Sequence, residues 1–151
     1  MSDRTTSFIP VDPRYVPEVR AQASAADTLR EFAPKADEVW TDSAEGVVFR
    51  DCGGNFESVR CPQCSAEITT EVWHGWMDAD FSEPDGLRLD PLVLDCCGSS
   101  TTLNGLVYDW PQGFSRYMLS VRNGGLEHPQ AVMPELEQIL GCKLRMIRQK
   151  L

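Results

Sequence analysis

Four of the six cysteines in this 151-residue chain fall into two tight groups, Cys61-Pro62-Gln63-Cys64 and Cys96-Cys97-Gly98. Two residues between a pair of cysteines let a tight turn aim both sulfurs at one ion. A second group, returning after a long excursion, supplies the remaining corners of a tetrahedron. Such a cross-link forces two distant stretches of chain together, so it limits the fold more than any local propensity does. Thiolate sulfur suits a borderline-soft ion, and zinc, bound at about 2.3 Å, is the expected cofactor. Pro62 stiffens the first turn, and Gly98 can take the positive φ that the second turn needs.

Length and composition set the frame around that site. A chain of 151 residues makes one domain and buries about 70% of its unfolded surface. With 42% hydrophobic and 25% charged residues it reads as an ordinary soluble globular protein. The first residues, Met1 to Ser7, contain no apolar signal core, and no stretch is long and apolar enough to span a bilayer. A cytoplasmic location is therefore expected, where thiols stay reduced and clustered cysteines point to metal rather than to disulfides. The net charge of −9 and pI near 4.6 repel phosphate polyanions, which argues against nucleic acid and anionic membranes. The same charge suits a basic protein partner, or simply solubility.

On either side of the cysteines the pattern reads strand, helix, strand. Residues 7 to 11 form a short strand that Pro10 limits to an edge or an end. A helix opens at Pro17, carries Val19, Ala23, Ala26, Leu29 and Phe32 on one stripe, and stops at Pro34. Residues 38 to 41 and 46 to 50 follow, as two strands or as one broken near Ser43-Ala44. Beyond the cysteines, residues 114 to 122 alternate, with Tyr117, Leu119 and Val121 on one face. Asn123-Gly124-Gly125 is a turn. The next helix starts at Pro129 or, better placed for a first turn, at Pro134. It shows Met133, Leu136, Ile139 and Leu140 and stops at Gly141. Residues 143 to 148 are a last strand. The order βαβ–βαβ implies an α+β fold, a ferredoxin-like sandwich spanning 1–151 as a single domain. Residues 52 to 108 form an inserted zinc-ribbon-like module in the loop between its halves.

Within that module Phe56 to Arg60 leads as a strand into the first cysteine pair. Ile68, Val72, Trp76 and Met77 mark a short helix, and residues 82 to 86 a loop. Residues 92 to 94 form a strand into the second group, and 103 to 108 a strand out of it. The knuckle residues Cys61, Cys64, Cys96 and Cys97 resemble those of the zinc-ribbon superfamily, in which two cysteine knuckles at hairpin tips share one zinc. The resemblance covers only these residues. It implies a structural site of four cysteines and a rigid recognition platform. The second pair departs from the superfamily's Cys-x-x-Cys, because Cys96 and Cys97 are adjacent and position 94 is Leu. Adjacent cysteines in an extended strand point to opposite faces, so both ligate only if the chain turns sharply between them. Otherwise Cys52 or His74 supplies the fourth corner. Four thiolates leave no open coordination position, which favours a structural over a catalytic ion.

Other features are open to two readings. Trp73-His74-Gly75-Trp76 either lines a groove or fills the small core of the module. Asp78, Asp80, Glu83, Asp85 and Asp90 form an acidic run without the sixth-position glycine of a calcium loop, hence a solvated face or a docking surface for a basic protein. Trp110 and Phe114 are expected to pack the module on the sandwich. Lys143, Arg145, Arg148 and Lys150 make a basic strand, either an edge charged against aggregation or a phosphate-contacting strip. No nucleophile elbow, phosphate loop, dinucleotide fingerprint or His-Glu-x-x-His occurs. The expected function is macromolecular recognition by a zinc-binding protein, with Trp73, Trp76, Asp78, Asp80, Glu83 and Asp85 at the surface that binds. One form of it is an acidic inhibitor or immunity protein that blocks a basic toxin. The alternatives are a small enzyme or ligand-binding domain with a pocket at Trp73, His74 and Trp76, and a nucleic-acid-binding zinc ribbon. An open sheet face also leaves room for a homodimer.

Overall fold

A computed structural model describes residues 3–124, 126 and 128–150. Among these residues it is a mixed α+β structure with three helices and eleven strands. The main sheet is built from both ends of the chain. β1 (Arg4–Pro10) runs antiparallel to β10 (Gly113–Arg122) on one side and β11 (Leu144–Lys150) on the other, and β2 (Glu38–Arg50) pairs antiparallel with β10. The order is β11-β1-β10-β2. Thus β1 and β2, joined through helix α1 (Val19–Phe32), leave a gap that β10 fills, and β10 and β11, joined through α3 (Pro129–Leu140), leave one that β1 fills.

Both helices pack on one face of this sheet. Phe8, Tyr117, Leu119, Val121 and Leu144 from the strands meet Ala25, Ala26, Leu29, Val132, Leu136 and Leu140 from the helices in one buried cluster. The expected faces of β10 and α3 hold, but the stripe expected on α1 is rotated. Val19 is 81% exposed and Phe32 is also exposed, while Ala25 and Ala33 are buried instead. Small alanines let α1 approach α3 and the sheet closely, and large apolar residues at the ends of a short helix overhang the core edge. The start of α3 is Pro129, so Pro134 lies inside the helix, on its sixth residue. The cost of an interior proline is a lost N–H bond and a clash with the carbonyl four residues back. That bond would run to Gln130, still in the first turn. Gly141 ends α3 at φ 76°. Asn123 and Gly124 both have positive φ, as the expected turn requires, and Gly125 lies outside the described residues.

β2 is one strand and not two, with a bulge where a break was expected. Ser43 pairs with Tyr117 and Val48 with Ser115, so residues 44 to 47 face Arg116 alone. The buried Arg50 guanidinium holds the distortion, donating to Asp42 (2.7 Å), Ser115 Oγ (3.2 Å) and the Arg116 carbonyl (3.0 Å). The bulge pushes Val47 out to pair with Gly86 of β6 (Gly86–Leu87), which with β5 (Phe81–Ser82) extends the sheet.

The remaining elements lie between β2 and β10. β3 (Ser58–Arg60) pairs with β4 (Glu67–Ile68) and β9 (Val107–Asp109), and β7 (Leu92–Val93) pairs with β8 (Ser100–Thr101). Helix α2 (Thr70–Asp80) is N-capped by Thr69, whose hydroxyl accepts from Val72 N. These elements share a second buried cluster, including Val59, Trp73, Leu94, Leu103 and Tyr108, which is continuous with Val47 and Phe114 of the main sheet. The base of the segment also covers part of the sheet face opposite the helices, where Cys52 and Phe56 pack on Ile9, Ile147 and Met118.

Candidate metal centre

The two cysteine groups sit at the tips of two hairpins. Cys61 to Cys64 turn between β3 and β4, and Cys96 and Cys97 turn between β7 and β8. The four sulfurs lie within 4.8 Å of one another, drawn from chain segments that the second buried cluster holds in place. Zinc bonded to sulfur at about 2.3 Å in a tetrahedron requires sulfurs about 3.8 Å apart. The Cys61–Cys97 and Cys96–Cys97 separations are 3.7 and 3.9 Å. These two match that spacing, and with all four sulfurs within 4.8 Å of one another the cluster could hold a metal ion.

The two turns share one backbone design. In the first, Cys61 N donates to Ala66 O, Ser65 N donates to Cys61 O, and Ser65 adopts φ 64°. In the second, Leu94 N donates to Ser99 O, Gly98 N donates to Leu94 O, and Gly98 adopts φ 72°. Superposing the patterns places Leu94 where Cys61 stands, Cys96 where Gln63 stands and Cys97 where Cys64 stands. The sharp turn that adjacent cysteines need is thus supplied by the knuckle itself. The position that would complete a Cys-x-x-Cys is given to the core, since Leu94 is 1% exposed and packs in the second cluster. Cys96 brings the fourth sulfur to the cluster from the turn tip.

Electrostatics around the thiols are uneven. Backbone N–H groups of Cys64 and Gln63, with the Ser99 hydroxyl, favour the Cys61 thiolate and bring its pKa to about 6 against the opposing effect of burial. The Ser99 hydroxyl, 3.1 Å from Cys97 Sγ, and its N–H lower Cys97 as well. Cys96 is pushed up to about 12, chiefly because its proton is shared with Cys64 and because burial and the neighbouring sulfurs oppose a further charge. An ion with two positive charges removes that repulsion. Ser99 is a site residue that the cysteine spacing could not indicate; the only sequence clue was a hydroxyl directly after Gly98.

Other expected participants lie elsewhere. Cys52 is fully buried beside Gln112, whose Oε1 accepts from both its N–H and its thiol, and it is not part of the sulfur cluster. His74 is exposed on α2 and also lies outside the cluster. Trp73 is buried, stacked on Phe56 (5.6 Å) and edge-on to Phe49 and Tyr108. Its Nε1 donates to the Tyr108 hydroxyl, which donates in turn to Leu103 O at 2.6 Å. Trp73 is therefore core to the cysteine-bearing segment, and Trp76 packs partly buried against the same cluster. The acidic run also divides. Asp80 is buried, and its carboxylate accepts from Leu89 N (2.7 Å) and Asp90 N (2.9 Å), closing the β5–β6 hairpin onto α2. Asp78, Glu83 and Asp85 are exposed. Phe114 is buried in the second cluster, whereas Trp110 is 43% exposed.

The chain matches no protein-family model, and no curated protein or solved structure is significantly similar to it. Among the described residues no helix is long and apolar enough to cross a membrane.

Proposed function

We propose that this chain is a recognition protein whose segment 52–108 is locked by a structural zinc ion on Cys61, Cys64, Cys96 and Cys97. The sulfur spacing and the closed set of four thiolates support zinc in a structural role, with no coordination position left for substrate. The strand order β11-β1-β10-β2 supports reading the rest as a ferredoxin-like sandwich into which the segment is inserted.

The observation that carries the recognition reading is a cleft of about 560 Å³ between the β2 bulge, α2 and the β5–β6 hairpin. Val48, Phe49, Met77, Phe81 and Leu87 give it an apolar floor, and among the described residues its only charged lining residues are Glu45, Asp78 and Glu83. Phe81 is 53% exposed there. An apolar floor with an exclusively negative rim complements a partner segment that carries an apolar anchor between lysines or arginines. A toxin with a basic catalytic cleft is one partner of that kind. Trp73 and Asp80 are buried, so in this reading they build the platform and do not touch the partner.

The test is binding of basic proteins and of a Lys/Leu amphipathic peptide to wild type and to a Glu45→Lys, Asp78→Lys, Glu83→Lys variant. Weaker binding with a flatter salt dependence in the variant supports the reading. Unchanged affinity removes it. Zinc content by elemental analysis tests the structural half separately, at about one ion per chain for a closed site.

A further inference from the structure

We infer that the cysteine cluster is also a redox switch, at which a peroxide joins Cys97 to Cys61 by a disulfide and the chain gives up its zinc. The inference rests on the structural zinc site proposed above and adds a condition under which that site is emptied.

Access comes first. Of the four clustered cysteines only Cys61 is buried, while Cys64, Cys96 and Cys97 are exposed. A small oxidant therefore reaches the cluster from the turn tips. The other two cysteines lie outside the cluster, Cys52 fully buried and Cys142 partly so. Metal ligation also keeps sulfur in the thiolate form, which is the form that attacks an oxidant.

Geometry selects the pair. Cys97 Sγ lies 3.7 Å from Cys61 Sγ and 3.9 Å from Cys96 Sγ. The backbone opposes a bond to Cys96. Consecutive Cα atoms stand about 3.8 Å apart across a trans peptide, short of the roughly 4.4–6.8 Å that a disulfide spans. Cys61 carries no such restriction, because it belongs to the other hairpin, 36 residues away. Ser99 marks the same two sulfurs. Its hydroxyl is 3.1 Å from Cys97 Sγ and 3.8 Å from Cys61 Sγ.

The chemistry balances with hydrogen peroxide as the oxidant. The Cys97 thiolate attacks one peroxide oxygen, the O–O bond breaks, hydroxide leaves, and Cys97 becomes a sulfenic acid. The Cys61 thiolate then attacks the Cys97 sulfur, the S–O bond breaks, and a second hydroxide leaves. The Ser99 hydroxyl stands beside both sulfurs to hydrogen-bond the departing oxygen. Two thiolates lose two electrons and the peroxide gains two. Only Cys64 and Cys96 then remain to ligate, half the set of a closed site. The change reaches the recognition segment through packing. Cys61 belongs to the second buried cluster, against which Phe49 and Met77 of the apolar cleft also pack.

The experiment adds hydrogen peroxide in steps to the zinc-loaded full chain at neutral pH. Released zinc is followed with a chromophoric chelator, and the alkylated, non-reduced protein is mapped by tryptic mass spectrometry. Trypsin cuts after Arg60, Arg88 and Arg116, so Cys61 and Cys64 fall in one peptide and Cys96 and Cys97 in the next. About one zinc should be released per peroxide consumed, with a link between those two peptides through Cys61 and Cys97. Cys52 and Cys142 should stay unmodified, and reduction with a dithiol should restore zinc binding. Cys96→Ser should keep the link and Cys97→Ser should lose it, a comparison that needs no bound zinc. Zinc well below about one per chain before any peroxide is added removes the structural reading, and this inference with it. Full zinc that survives excess peroxide overturns the inference alone. So does release with a disulfide inside one peptide, with sulfinic or sulfonic acids in place of a disulfide, or with a link that persists in Cys97→Ser.

Discussion

The equivalence of the two cysteine turns makes an exchange of ligand positions predictable. Cys96→Ser removes the corner supplied from the turn tip. Structural zinc contributes about 10–16 kcal/mol in small zinc peptides, so one of four thiolates accounts for about 3–4 kcal/mol, a roughly 10²–10³-fold loss of affinity. Adding Leu94→Cys to that variant places a thiol at the position that Cys61 holds in the first turn, with the same pair of backbone bonds around it. Leu94 is buried, so truncating it costs about 1.5–3 kcal/mol of packing, less than the regained thiolate supplies to the metal-bound state. The double variant should therefore bind zinc at least tenfold more tightly than Cys96→Ser in competition with a chromophoric chelator, and its metal-free form should be the less stable. If it binds no more tightly than Cys96→Ser while near-ultraviolet circular dichroism shows a folded core, the two turns do not address the ion equivalently and the reasoning fails.

Other outcomes follow from the same geometry. Zinc binding should release protons and strengthen with rising pH. Coordination requires thiolates, so Cys96, pushed up to about 12, gives up its proton across the whole working range, and Cys61 releases one as well below about pH 6. An affinity independent of pH between 5 and 8 would contradict this. Ser99→Ala should weaken zinc by about tenfold, the lower end of outer-shell effects, with no change in stoichiometry by elemental analysis. Asp80→Ala should cost about 2–3 kcal/mol in urea unfolding, because one buried and one part-buried N–H group lose a charged acceptor, whereas Asp78→Ala should change stability by less than about 0.5 kcal/mol. Gly53→Ala should destabilise more than Gly98→Ala. Both have positive φ, costing about 1–2 kcal/mol, but a Cβ at position 53 strikes the Lys150 carbonyl while one at position 98 meets nothing.

Several of these features were legible in the chain. Adjacent-turn spacing marked Cys61 and Cys64 because a knuckle is a local object. The alternation of Tyr117, Leu119 and Val121 marked the buried face of β10 because strand periodicity is local too. Helical periodicity failed on α1, where alanines on two faces and bulky residues at the ends gave an ambiguous stripe. The start of α3 failed because a proline is as compatible with residue 129 as with residue 134 until the N-terminal chain direction is known.

What the sequence determined by itself is therefore local, namely that two turns could present thiols and that strands and helices alternate at both ends, together with a net charge of −9. The tertiary structure alone decided how those pieces act together. It made Leu94 a core residue and Cys96 the fourth sulfur, sent Trp73 and Asp80 inside while leaving Phe81 out, and set Arg4 of the first strand beside Arg148 and Lys150 of the last. Each is a contact between residues far apart along the chain. Such contacts depend on strand register and on which face of a bulge turns outward, and neither is encoded in any single segment.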